Sequence, residues 1–222
     1  NVDGTKLDAD SHYAIFVTVN YADGGSERIA ADYLTLTGES ANKKARERFA
    51  DVPAAHANHK AVLWAADQKL IDSREKDWFG VNDDVTRGEL TVALYRMAGS
   101  PKVTLPATSP YPDVKTDDPN YAAYIWARQK GITFGWSDGK FHADAGISNA
   151  TVAAFLYRFD GKKPVAVTEA PYTDVKVGSA FYREITWAKQ QKLQVFPGSE
   201  YHPTALVSRG ELAGFLMNYK VR

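Results

Sequence analysis

The 222-residue sequence predicts a mainly α-helical fold, with three tandem helix–loop–helix units in a pseudo-threefold arrangement around a central three-helix bundle and a short N-terminal β-hairpin segment ahead of them. Three observations predict it. A set of landmark residues recurs three times in near-constant register, as the series Trp64, Trp126 and Trp187 illustrates. Apolar residues after the last landmark of each set follow a helical period. Upstream of the first set the period is two instead.

In the segment 1–48, Ile15, Val17, Val19 and Tyr21 alternate with Ala14, Phe16, Thr18 and Asn20, the spacing of a strand with two unlike faces. The turn Asp23–Gly24–Gly25–Ser26 leads into a second run, Tyr33 to Thr37, which makes a hairpin. A lone hairpin is marginal in water, so it docks on the helical part or is the tail of a β-domain upstream. Gly38 to Arg48 is polar and basic, a connector or short helix.

Each unit opens on an aromatic, any residue, Asp and Val: Phe49 to Val52, Tyr111 to Val114 and Tyr172 to Val175. This divides the chain into 49–110, 111–171 and 172–222. A Trp stands at one fixed offset from each opening aromatic, at Trp64, Trp126 and Trp187, inside an Ala-rich amphipathic stretch. These tryptophans belong to the core. A hydroxyl residue follows each Trp at a nearly fixed distance, at Thr86, Ser148 and Ser208. The second helix starts there. Its apolar positions, Leu90, Ala93, Leu94 and Met97 in the first unit, recur in the others and mark one helix face. Gly99 and Gly161, shortly before Pro101 and Pro164, stop the first two. One unit cannot bury its stripe alone, whereas three stripes facing one another can. The turn-rich loops between helices, such as Gly135 to Phe141, then lie at the rim beside the start of the second helix.

The chemistry concentrates at that start. Thr86–Arg87–Gly88–Glu89 and Ser208–Arg209–Gly210–Glu211 fit a capping box, in which the hydroxyl accepts one orphan amide and the carboxylate another. Capping accounts for the hydroxyl and the Glu but not for the Arg, a cation at the positive end of the helix dipole. Gly beside it also weakens the helix. Two uses account for the Arg. It converges with free helix amides on a carboxylate or phosphate ligand, or it pairs with a carboxylate of a neighbouring unit, such as the repeated Asp51, Asp113 or Asp174. Those Asp residues otherwise read as turn or cap residues. The second unit departs from the motif, reading Ser148–Asn149–Ala150–Thr151. Trp136 and Trp78, on loops, are the aromatic candidates for stacking on a ligand; Tyr95 and Tyr157, on the second helices, suit either site or core.

The three units resemble tandem S-layer homology repeats over about residues 49–222, on the aromatic-x-Asp-Val opening, the Trp-Ala helix, the Asp138–Gly139–Lys140–Phe141 loop and the Thr/Ser-Arg-Gly-Glu motif. The resemblance implies the central three-helix bundle. It also implies non-covalent attachment of an exported surface protein to secondary cell-wall polysaccharide of Gram-positive-type bacteria, an anionic polymer often carrying pyruvate ketals. It implies that Arg87 and Arg209 lie in grooves between neighbouring units and contact the acidic sugar. Thr86, Ser208, Glu89, Glu211, Trp136 and Trp78 complete the expected ligand-binding set. Two such grooves would gain avidity on a polymer, and the second unit's groove would bind an anion poorly. The localisation implied is extracellular, at the cell wall and S-layer.

Composition narrows the alternatives. Lys plus Arg and Asp plus Glu number 27 each, so no concentrated cationic field draws nucleic acid or an anionic membrane. No apolar run approaches the ~18 residues of a membrane span. Cysteine is absent, which removes thiolate metal sites, thiol nucleophiles and disulfides. The five His residues show no metal-ligand spacing, and no nucleophile-elbow, phosphate-loop or dinucleotide motif occurs. The expectation is a binding module with no catalytic residue, metal or cofactor. A self-association module of a surface layer is the alternative, and a wall-glycan hydrolase a more distant one. The chain opens on Asn1 with no basic, apolar leader, which predicts a piece of a longer polypeptide with further domains upstream.

Overall fold

The computed structural model describes residues 12–20, 26–35, 48–166 and 169–221. It is mainly helical. Among the described residues six helices follow one another: α1 His59–Asp67, α2 Arg87–Met97, α3 Tyr121–Gln129, α4 Asn149–Phe159, α5 Tyr182–Gln190 and α6 Arg209–Val221. Upstream, β1 His12–Asn20 runs antiparallel to β2 Ser26–Thr35, with Tyr13 opposite Leu34 and Val19 opposite Glu27. The expected turn at 23–25 and the connector at 38–47 lie outside the described residues.

The landmarks fall where their chemistry puts them. Each second helix begins immediately after its hydroxyl residue. Thr86 Oγ1 accepts the Glu89 amide at 3.2 Å while Glu89 Oε2 accepts the Thr86 amide at 2.9 Å, a complete capping box. Ser208 and Glu211 repeat it, and Ser148 caps α4 by accepting the Thr151 amide at 3.3 Å. Trp126 and Trp187 are buried, and Trp64 packs against the same core. Tyr95 and Tyr157 resolve to packing roles, with ring centroids 5.5 and 5.6 Å from Trp126 and Trp187.

Closure is cyclic. Helix α3 packs on α2, α5 on α4, and α1 on α6, so each Trp-bearing helix covers a helix that starts at a hydroxyl cap, and the first helix meets the last. At the centre the Val85 amide donates to Val207 O (2.8 Å), the Val207 amide to Ile147 O (3.0 Å) and the Ile147 amide to Val85 O (3.0 Å). All three side chains are buried, in one core cluster with Leu90, Val152 and Leu212.

The same interlock consumes the helix-start amides. Arg87 and Gly88 donate to Ala145 and Ala143 O at 2.8 Å each. Asn149 and Ala150 donate to Ala205 and Pro203 O at 3.0 Å each, and Arg209 and Gly210 to Asp83 and Val81 O at 2.9 Å each. Amides free for an anion were expected here. They are paired, because the helix starts dock on neighbouring loops whose carbonyls need donors. This also explains the glycine. A Cβ on Gly88 would lie 2.9 Å from the Tyr124 hydroxyl and 3.1 Å from Ala143 O. Gly88→Ala should therefore cost about 1–3 kcal/mol of stability, measured by chemical denaturation, even though Ala is the better helix former.

The opening Asp of each unit ties down the following loop. Asp51 accepts the Phe79 and Val81 amides, Asp113 those of Phe141 and His142, and Asp174 those of Tyr201 and His202, all at 2.7–2.8 Å. Desolvation opposes ionisation of Asp113 and Asp174, but the amide hydrogen bonds outweigh it and hold both carboxyls below the ordinary range. A carboxyl depressed in the folded state stabilises fully above its unfolded value near ~3.9 and stops doing so as pH falls through the folded value. Melting temperature should thus drop steeply below about pH 4, and Asp113→Asn should make that drop shallower.

Candidate functional site

Two grooves receive the motif arginines, each made where one unit's helix start meets the next unit's loop. Arg87 leaves α2 toward the second unit, Arg209 leaves α6 toward the first, and Asn149 leaves α4 toward the third. Their surroundings differ, and the difference decides what each groove can do.

The Arg87 groove is a cavity of about 500 Å³ between α4, the 131–136 loop and the start of α5. Arg87 is 6% exposed. Its guanidinium lies 5.3 Å from the Phe141 ring centre and 5.0 Å from that of Phe155, held by aromatic faces. One Nη donates to Thr133 Oγ1, which also accepts the Gly135 amide at 3.2 Å; Nε is buried without a partner. Among the described residues no carboxylate lines the cavity. Arg158 and Lys162 do, so three cations face it. Desolvation chiefly, with the neighbouring Arg158 charge adding to it, pushes the Arg87 guanidinium down to about 10. Such a cation gains from any anion that enters.

Loop geometry sets the rim. A Cβ on Gly135 (φ 88°) would sit 2.5 Å from Lys140 O and 3.0 Å from the Tyr111 ring, so only glycine closes the turn that carries Trp136. Trp136 is 51% exposed and stacks on His142 at 4.0 Å, while His142 Nε2 meets Asp138 at 2.7 Å. Phe134 is 63% and Phe181 40% exposed. Phe181 also takes a left-handed φ of 60° at the α5 N-cap, a conformation that costs a bulky residue energy and holds its ring at the groove edge. Exposed rings around a cationic pocket suit a sugar bearing an acid, because ring faces pack on the apolar face of a pyranose.

The Arg209 groove, about 360 Å³, is already neutralised. Arg209 is 2% exposed, with its guanidinium 5.0 Å from the Phe79 ring centre. Nε donates to Phe79 O at 3.1 Å, one Nη donates to Asp72 O, and the other pairs with Glu89 Oε1. Glu89 Oε1 also takes Arg74 at 2.7 Å, and Arg96 pairs with Asp72 at 2.7 Å. Arg74, Arg96 and Arg209 line the groove with Asp72, Glu89 and Asp144, equal numbers of each sign. Desolvation lowers the Arg209 guanidinium, and the Glu89 charge works against that shift.

The expected site residues therefore separate. Arg87 and Trp136 share the first groove; Thr86, Glu89 and Arg209 share the second. Ser208 and Glu211 bond to each other, Oγ to Oε2 at 3.0 Å, and with half-buried Trp78 they line neither groove. Sequence reasoning missed Arg158, Lys162, Thr133, Phe134 and Phe181. Arg158 carried a signal: it stands one repeat after Arg96, at the same position of the next second helix.

No curated protein matches the chain. Two of its stretches, residues 48–91 and 110–153, match the S-layer homology domain, a binding module that anchors proteins at the cell wall or S-layer.

Proposed function

We propose that the chain is a non-covalent wall anchor of an exported bacterial surface protein, and that its Arg87 groove binds an acidic carbohydrate of a Gram-positive-type wall. The observation that carries this is the lining of that groove: Arg87, Arg158 and Lys162 with no opposing carboxylate among the described residues, rimmed by Trp136, Phe134 and Phe181. Arg87 and Arg158 meet the acid; Trp136 packs on the sugar ring. A pyruvate ketal, the acid that the family resemblance suggests, fits this chemistry because its carboxylate is held rigidly on the pyranose.

In this reading residues 49–110, 111–171 and 172–222 are three equivalent repeats in a pseudo-threefold ring, with residues 1–48 a β-hairpin segment joining domains upstream. The Val85–Ile147–Val207 hydrogen-bond ring and the α1–α6 contact favour counting 172–222 as the third repeat. Arg209, Thr86, Glu89, Ser208 and Glu211 become scaffold rather than ligand contacts. Adhesion then depends on one groove per chain, with strength coming from the many acidic residues along a polymer rather than from two grooves gripping at once.

Co-sedimentation with purified walls tests the proposal. The chain should pellet with intact walls and stay in solution after chemical removal of their acidic polysaccharide. Undiminished pelleting with stripped walls would contradict it.

A further inference from the structure

Six residues ahead of each hydroxyl cap stands a residue with left-handed backbone: Gly80 (φ 74°), His142 (φ 56°) and His202 (φ 52°). Glycine enters that region freely, whereas a Cβ makes it costly. Gly80 fits its place, because a Cβ there would lie 2.4 Å from Asp83 Oδ2 and 2.7 Å from Arg74 Cγ. At His142 the strained backbone delivers a ring to two partners at once. The imidazole stacks on Trp136, with ring centroids 4.0 Å apart and planes at 31°, and its Nε2 meets Asp138 Oδ2 at 2.7 Å. The loop fixes both ends of this clamp. The His142 amide donates to Asp113 Oδ2 at 2.7 Å, and Asp138 Oδ1 accepts the Lys140 amide at 3.0 Å. His202 carries a looser version, 6.3 Å from the Phe196 ring and 3.7 Å from Glu200. The close stack thus stands at the groove that Arg87 enters, where Trp136 lines the cavity and His142 backs it from outside.

We propose that His142 is a positioning residue for the Arg87 groove: it holds the Trp136 ring as a fixed stacking face, and holds it more firmly when its imidazole carries a proton. This rests on the reading that the Arg87 groove binds an acidic sugar. A half-exposed indole otherwise samples several rotamers, and ordering it during binding costs affinity. A ring that is already held avoids that cost. With His142 against one face of the indole, the opposite face is the one available to a sugar. Imidazoles take up a proton between about pH 5 and 8. The proton adds cation–π attraction to the stack and turns the Asp138 contact into an ion pair. The surrounding charges favour that sign. The carboxylates of Asp138 and Asp113 both interact with the imidazole, Lys140 acts on Asp138, and Arg87, Arg158 and Lys162 lie in the groove that Trp136 rims. The Lys140 amide, and after it the His142 contact, hold the Asp138 carboxyl below its ordinary range, so it stays ionised throughout this interval.

The test follows the Trp136 indole N–H of the ¹⁵N-labelled full chain by NMR relaxation. In parallel, purified acidic wall polysaccharide is titrated by calorimetry at about pH 7.5 and about pH 5.5, at constant ionic strength. The native indole should be rigid, with an order parameter near ~0.85, and should fall below about 0.6 in His142→Gly. That variant should melt close to the native temperature, since glycine relieves the left-handed backbone, yet bind about threefold to tenfold more weakly. Native affinity should rise about threefold from the higher pH to the lower. His142→Phe keeps a ring on Trp136 but takes no proton, so it should bind like the native chain at the higher pH and show no rise. Equal indole rigidity in the native chain and His142→Gly would overturn the positioning role, as would a loosened indole with unchanged affinity. No rise in the native chain, or one that persists in His142→Phe, would overturn the role given to the proton. A native chain that binds the polysaccharide at neither pH would instead overturn the reading of the Arg87 groove, and the rigidity comparison would still decide whether His142 holds Trp136.

Discussion

Arg87→Met should lose about 100-fold or more in affinity for acidic wall polysaccharide while melting at or slightly above the native temperature. The loss follows from truncating a desolvated, charge-assisted contact, worth roughly 2–5 kcal/mol when its partner is an anion. Methionine's unbranched chain follows the arginine's path toward Phe141 and Phe155, the rings beside which the guanidinium lies, so little packing is lost. The unliganded chain also sheds a cation at the positive end of α2, in a groove where no described carboxylate faces it. Function and stability should thus move in opposite directions, and wall pelleting alongside a thermal melt reads both. A Met variant that pellets like the native chain would contradict the role given to Arg87.

Arg209→Met should do the reverse. Its guanidinium connects Glu89, Phe79 O and Asp72 O, joining the last unit to the first across 120 or more residues. Removing one partner of such a buried cluster costs about 3–5 kcal/mol, here toward the lower end because Arg74 still serves Glu89. For a chain of this size that is a fall of about 8 °C in melting temperature. Wall binding, measured well below the transition, should survive. The repeated motif alone makes the two arginines equivalent, whereas their surroundings differ: Arg209 is paired with Glu89, and no described carboxylate lines the Arg87 groove.

That contrast locates what a sequence can and cannot disclose. Hydroxyl caps, the glycines after α2 and α4 and the Trp positions are local features with local causes, and all are legible. Asp51, Asp113 and Asp174 read locally as turn residues; their actual partners, loop amides 27 to 30 residues on, need the fold. The cyclic interlock is beyond reach, because the Arg87 amide finds Ala145 O and the Arg209 amide finds Asp83 O only after ring closure. Thr151 is visible as a missing Glu, but that it lines the groove entered by Arg87 needs the fold.

The most direct test is calorimetric titration of the purified acidic wall polysaccharide into the native chain and into Arg87→Met, both folded at the same temperature. The account predicts a saturable isotherm for the native chain and no measurable heat of binding for the variant. Indistinguishable isotherms from the two proteins would contradict it.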